Sequence, residues 1–145
     1  MNMSLNIDNI FSLFSSGEDA GGVDEKVFIN FKETPTYFIG MYKKLILNNL
    51  NFNKKIVKFF KESNSDLDVN EMSEAGEWVT YNRAWHYIKK INLSNEEHIT
   101  SLENHNDPYF ETTIKLGIKF FEEEEQYERC ALLKKIQDIL EGLKG

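Results

Sequence analysis

Apolar residues recur at three- and four-residue spacing along most of the chain, the signature of helices that bury one face. From Pro35 to Asn49 the positions Phe38, Met41, Tyr42, Leu45, Ile46 and Leu47 make a wide apolar face. Residues 48–53 break that pattern, so a separate helix is predicted beyond them, with Ile56, Val57, Phe59 and Phe60 as its buried side. A polar loop follows at residues 63–66. Asp68 and Glu71 have the spacing of a capping box, in which each side chain satisfies a free amide of the first turn. Met72, Ala75, Trp78, Tyr81, Trp85 and Ile88 then form one stripe, broadened by Val79, Ala84, Tyr87 and Ile91. A stripe that wide predicts the helix at the centre of the fold. Ser94 and Glu97 predict a second capping box and a short helix through Leu102.

The last third has the clearest punctuation. Asp107 is a good N-cap, and Pro108 at the first helical position loses no needed hydrogen bond. Phe110, Thr113, Ile114, Gly117, Ile118 and Phe121 mark an inner face, and four glutamates at 122–125 interrupt it. Tyr127, Cys130, Ala131, Leu133, Lys134, Ile136 and Leu140 resume the helical period. Two helices joined by so short a loop pack antiparallel, which predicts a helical hairpin over residues 108–145.

The beginning of the chain is different. Ile7, Ile10, Phe11 and Phe14 fall on one helical face, and residues 15–24, SSGEDAGGVD, have the composition of a flexible tether. The expected organisation is an N-terminal apolar motif plus Gly-rich linker at 1–24 and one helical domain at 25–145. Ile10, Phe11, Ser12, Leu13 and Phe14 resemble the short hydrophobic peptides that bind bacterial sliding clamps, without their leading Gln. Residues 26–31, KVFINF, are rich in β-branched and aromatic side chains. They are expected to be extended chain, with a short β-hairpin near residues 26–40 as the alternative. The fold class is therefore mainly α, a small helical domain of five to six helices ending in the hairpin.

Composition narrows the function. The chain has 145 residues, 41% of them hydrophobic, with 11 Phe, 6 Tyr and 2 Trp, enough aromatic volume for a real core. A formal net charge of −7 argues against wholesale coating of nucleic acid or of an anionic membrane. A single cysteine and the absence of a signal-like start or a spanning apolar stretch point to a cytoplasmic protein with no membrane role. The abundance of Asn, Lys, Ile, Phe and Glu suggests an AT-rich genome, such as that of a phage or low-GC bacterium.

Few residues carry chemistry. His86, His98 and His105 lack the paired spacing of metal ligands, and Cys130 falls on a helix seam where a buried, inert thiol is expected. Consecutive carboxylates at 122–125 fan out around the chain instead of converging on a cation. No catalytic residue, cofactor site or metal site is predicted, and the protein is expected not to be an enzyme. Residues 41–61 are the strongest charge asymmetry, with six lysines and no carboxylate. Lys54, Lys55, Lys58 and Lys61 are assigned to one helical sector that suits phosphates or an acidic partner. The absence of Arg there weakens base-specific readout.

Residues 114–140, IKLGIKFFEEEEQYERCALLKKIQDIL, resemble the UVR motif, a helical hairpin. The run Glu125, Gln126, Tyr127, Glu128, Arg129, Cys130, Ala131 fits the start of its second helix, with Cys130 in place of the usual Ala. Lys135 stands where the motif has Asp, and Gln137 where it has Ile. The resemblance implies a protein–protein docking element with small residues at the seam and Tyr127 packed into the turn. The function expected is thus a non-enzymatic interaction module, an adaptor or regulator of another protein. It would dock through Tyr127 and Glu128 of the hairpin, through the tethered Phe11, Leu13 and Phe14, or through both. The alternative is a nucleic-acid accessory protein that uses the lysine-rich helix.

Overall fold

A computed structural model describes residues 30–63, 69–105 and 107–142. The chain forms two units, residues 1–34 and residues 35–145. In the first, Asn30 and Phe31 are helical, and a turn follows in which the Glu33 amide donates to the Asn30 carbonyl at 3.1 Å. The N-terminal motif, its linker and the Asp68 cap lie outside the described residues.

Among the described residues the second unit holds five helices: α1 Pro35–Glu62, α2 Val69–Ile88, α3 Glu96–Asn104, α4 Pro108–Glu123 and α5 Tyr127–Gly142. The mainly α class is as the hydrophobic pattern predicts. No strand occurs among the described residues, and Tyr37, Phe38 and Ile39 lie inside α1, so they cannot pair as the second strand of a hairpin. Proline at the first helical position favours this outcome, since its fixed φ is already helical.

Helix α1 also corrects the expected break. It runs for 28 residues straight through positions 48–53. Asparagine is only a mild helix opponent, unlike Pro or Gly, and Asn53 Nδ2 donates to Asn49 Oδ1 one turn back at 3.3 Å. The short helix α3 begins one residue later than its spacing suggested. Its cap is Asn95, whose side chain accepts from the amides of Glu97 and His98, and Ser94 takes no part.

The hairpin is built as predicted at its start. Asp107 Oδ1 accepts from the Phe110 amide at 2.8 Å, with Pro108 opening α4. Phe110, Thr113, Ile114, Gly117, Ile118, Phe120 and Phe121 are all buried, so α4 and not α2 is the most enclosed helix. Cys130, Leu133, Ile136 and Leu140 of α5 close over it. A Cβ at Gly117 would collide with the Tyr42 hydroxyl and stand 3.0 Å from Leu133 Cδ1. This glycine is therefore what lets α1 and α5 approach α4 together. Ala131, expected at the seam, is exposed, because helical phase carries it outward from Cys130.

The core gathers the first half of α1, the second half of α2, Ile91, Leu102 of α3, and the hairpin. Tyr42 is fully buried and donates to the Thr113 carbonyl at 2.6 Å, which satisfies its hydroxyl in the interior. Tyr81 stacks on Phe120 with centroids 4.5 Å apart, and Arg129 lies over Trp85 and Phe121 while Nη1 donates to Asn82. These contacts hold the end of the hairpin against α2.

Candidate functional site

Buried residues stop at Ile46 in α1 and begin again only at Tyr81 in α2. The second half of α1 and the first half of α2 thus form a two-helix arm without buried residues, in which Leu50 alone packs partly against the core. The approach of Asn49 to Gly76 sets the antiparallel register, with 3.9 Å between Asn49 Nδ2 and a Cβ built on Gly76.

Helix α2 faces α1 along the arm with polar residues. Asn70, Ser73 and Glu77 line an open groove of ≈ 730 Å³ together with Lys54, Val57, Lys58 and Lys61 of α1. Ser73 Oγ is buried there without a hydrogen-bond partner. Burial, and then the charges of Glu74 and Glu123, push the Glu77 carboxyl up, and Lys119 opposes them. The influence of α4 residues on Glu77 places the groove on the side of the arm that looks toward the hairpin.

The opposite side is apolar. Phe52, Ile56 and Phe59 share a face of α1 nearly half a turn from the groove lysines. Phe52 is 60% and Phe59 62% exposed. On α2, Met72, Ala75 and Val79 follow helical spacing, but about half a turn around from the stripe of Tyr81, Ala84 and Ile88. The second stripe is buried in the core; Met72 and Val79 are exposed at 47% and 50%. In an antiparallel pair, residues displaced from the contact line away from the groove on each helix come to the same side. Phe52, Ile56 and Phe59 therefore share one face with Met72 and Val79.

This corrects two expectations. Phe59 is not buried, and Met72 and Trp78 do not belong to a central core stripe, because the apolar face of α2 changes sides between Val79 and Tyr81. Periodicity alone had merged the two stripes. The phase shift between them is the signal that separates them, and it is present in the spacing.

The lysines keep their positive surface. Lys54, Lys55, Lys58 and Lys61 are all exposed, and no ion pair among the described residues engages them. Three line the groove, and Lys55 stands at the edge of their shared helical sector, outside the groove. Lys43 is held by Asp107 at 3.4 Å, and Glu122 by Lys134 at 3.1 Å.

At the tip of the hairpin, Tyr127 is 65% exposed, contrary to its expected place packed into the turn. The turn is closed by backbone bonds instead: the Gln126 amide donates to the Phe121 carbonyl at 2.8 Å, and that of Glu125 to Glu122 at 3.0 Å. Tyr127 is left free to face solvent, beside an exposed Glu128. Phe11, Leu13 and Phe14 lie outside the described residues.

His98 Nδ1 accepts from the Asn92 amide at 2.9 Å, and His105 Nδ1 lies 2.8 Å from the Ser101 carbonyl. Both thus serve local loop structure. Burial, with the Glu122 charge, raises the Cys130 thiol above its ordinary range. Among the described residues no group of three His, Cys, Asp or Glu side chains converges as metal ligands would. No described helix is long and apolar enough to cross a membrane. No family model, curated protein or solved structure matches this chain.

Proposed function

We propose that the protein is a non-enzymatic, cytoplasmic interaction module, an adaptor or regulator that works by docking another polypeptide through the α1–α2 arm. One observation carries this reading: Phe52, Phe59, Met72 and Val79 all remain exposed on one face of a helix pair. Isolated exposed apolar residues are ordinary, but several on one face mark a contact surface. The hairpin contributes a second contact point at Tyr127 and Glu128, in keeping with its resemblance to the UVR motif, and the N-terminal Phe11, Leu13 and Phe14 a third.

Site-specific photo-crosslinking in native-host extract tests the arm. A crosslinker at position 59 is expected to give a discrete polypeptide adduct that disappears on Val79→Glu, while one at Lys115 on α4 gives none. Absence of adducts at position 59 removes the reading.

A second reading has its own support. Lys54, Lys58 and Lys61 line an open groove without ion-pair partners, a surface able to follow a phosphate backbone. Retention on single- or double-stranded nucleic acid that weakens steeply with salt and is lost on K54E/K58E/K61E would favour it over the first.

A further inference from the structure

We propose that the occupant of the apolar face of the arm is a second copy of this chain, the two arms joining face to face as a four-helix bundle. The inference rests on the reading of the arm as a docking surface and names its partner.

The arm already has the form of half a bundle. It is an antiparallel helix pair, apolar on one side and polar on the other, and its apolar side points away from the core that its own chain supplies. A two-fold axis running along the arm lays each α1 antiparallel on the α2 of the other copy, the arrangement of antiparallel neighbours that four-helix bundles share. Phe52, Ile56 and Phe59 of one copy then meet Met72, Ala75 and Val79 of the other, and all become interior.

Charge selects the same partner. Residues 51–62 of α1 hold four lysines and one carboxylate, Glu62. Residues 69–79 of α2 hold Glu71, Glu74 and Glu77 and no base. The two helices of the arm are therefore of opposite sign. In the two-fold bundle every contact between copies sets a basic helix on an acidic one, whereas placing α1 on α1 brings like charges together at some cost. An axis along the arm also preserves height, so Lys55 on the outer edge of one α1 comes level with the Glu71 region of the other copy's α2. A surface complementary to itself in both pattern and charge needs no other protein to cover it.

Sedimentation equilibrium on the purified full chain tests this. Twice the chain mass of 17.0 kDa is expected across the micromolar range. Phe59→Glu and Val79→Glu should each raise the dissociation constant about tenfold or more, with helical circular dichroism retained because both residues are exposed in the single chain. Exchanging charge between copies gives an independent readout. Mixing K55E with E71K should restore association that each variant alone has weakened.

The unsubstituted chain sedimenting as a monomer to hundreds of micromolar overturns the proposal, as does a dimer indifferent to both apolar substitutions. If the chain is monomeric and the crosslinker at position 59 still gives an adduct of another mass, the arm docks a different protein and the functional reading stands. If both assays are blank, both readings fail.

Discussion

A single residue at the hairpin tip offers the sharpest energetic test of the fold. Glu125 has φ 59°, in the left-handed region that side chains with a Cβ disfavour. The bonds from the Gln126 amide to Phe121 and from the Glu125 amide to Glu122 are those of a Schellman termination, whose central residue is usually glycine. A glutamate there also adds negative charge at the carboxyl end of α4, where the helix dipole is already negative. Glu125→Gly should therefore stabilise the chain by about 1 kcal/mol, the relief of strain outweighing the added freedom of the unfolded chain. Urea unfolding measures it, and a lower midpoint for the glycine variant contradicts the assignment of this turn. Gly117 makes the opposite case, because there a Cβ has no room between Tyr42 and Leu133.

Among the helices, those whose ends and face agree were legible, and those with only a face were not. In α4, the Asp107 cap, Pro108 and the stripe from Phe110 to Phe121 all specify one helix in one orientation, and the structure has it. In α1 the asparagines at 48, 49, 51 and 53 suggested an end that backbone geometry does not require. In α2 the periodicity reported correctly that residues are apolar, but not what covers them. Met72 and Val79 look like core from their spacing, yet the core lies on the other side. The lysines were legible as charge, while the apolar face beside them became visible only once α1 was continuous and antiparallel to α2. The same division predicts dynamics. Helical segments without fully buried residues open at lower cost than those in the core. Amides of residues 50–62 and 69–78 are expected to exchange markedly faster than those of 112–121 and 131–140 at concentrations where the chain is monomeric. Hydrogen exchange read by mass spectrometry checks this, and uniform protection across both sets would show that the arm belongs to the same cooperative unit as the hairpin.

For the molecule as a whole, the aromatic hydroxyls buried at its centre fix how stability responds to alkali. Burial drives the Tyr42 hydroxyl well above its ordinary range, the Tyr81 charge adding to the effect; burial likewise pushes Tyr81 up to about 12, with Glu77 contributing. In the unfolded chain both ionise near pH 10. Above that value the unfolded state releases protons that the folded state still holds, so unfolding gains free energy as pH rises. The stability these groups support is complete below about pH 10 and is lost as pH climbs from there through their folded values. Each contributes a slope of about 1.4 kcal/mol per pH unit within its own window. Unfolding free energies between pH 8 and pH 11.5 should thus be flat at first and then fall steeply. Tyr42→Phe separates this cause from general charge repulsion. It deletes the 2.6 Å bond to Thr113 and so costs about 1 kcal/mol at neutral pH, yet it leaves one fewer group to titrate. The variant should begin less stable and lose stability more slowly, the two curves converging in alkali. Parallel curves would mean that the Tyr42 hydroxyl is not held protonated by the core, and that the packing of α1 against α4 at Thr113 is looser than this fold requires.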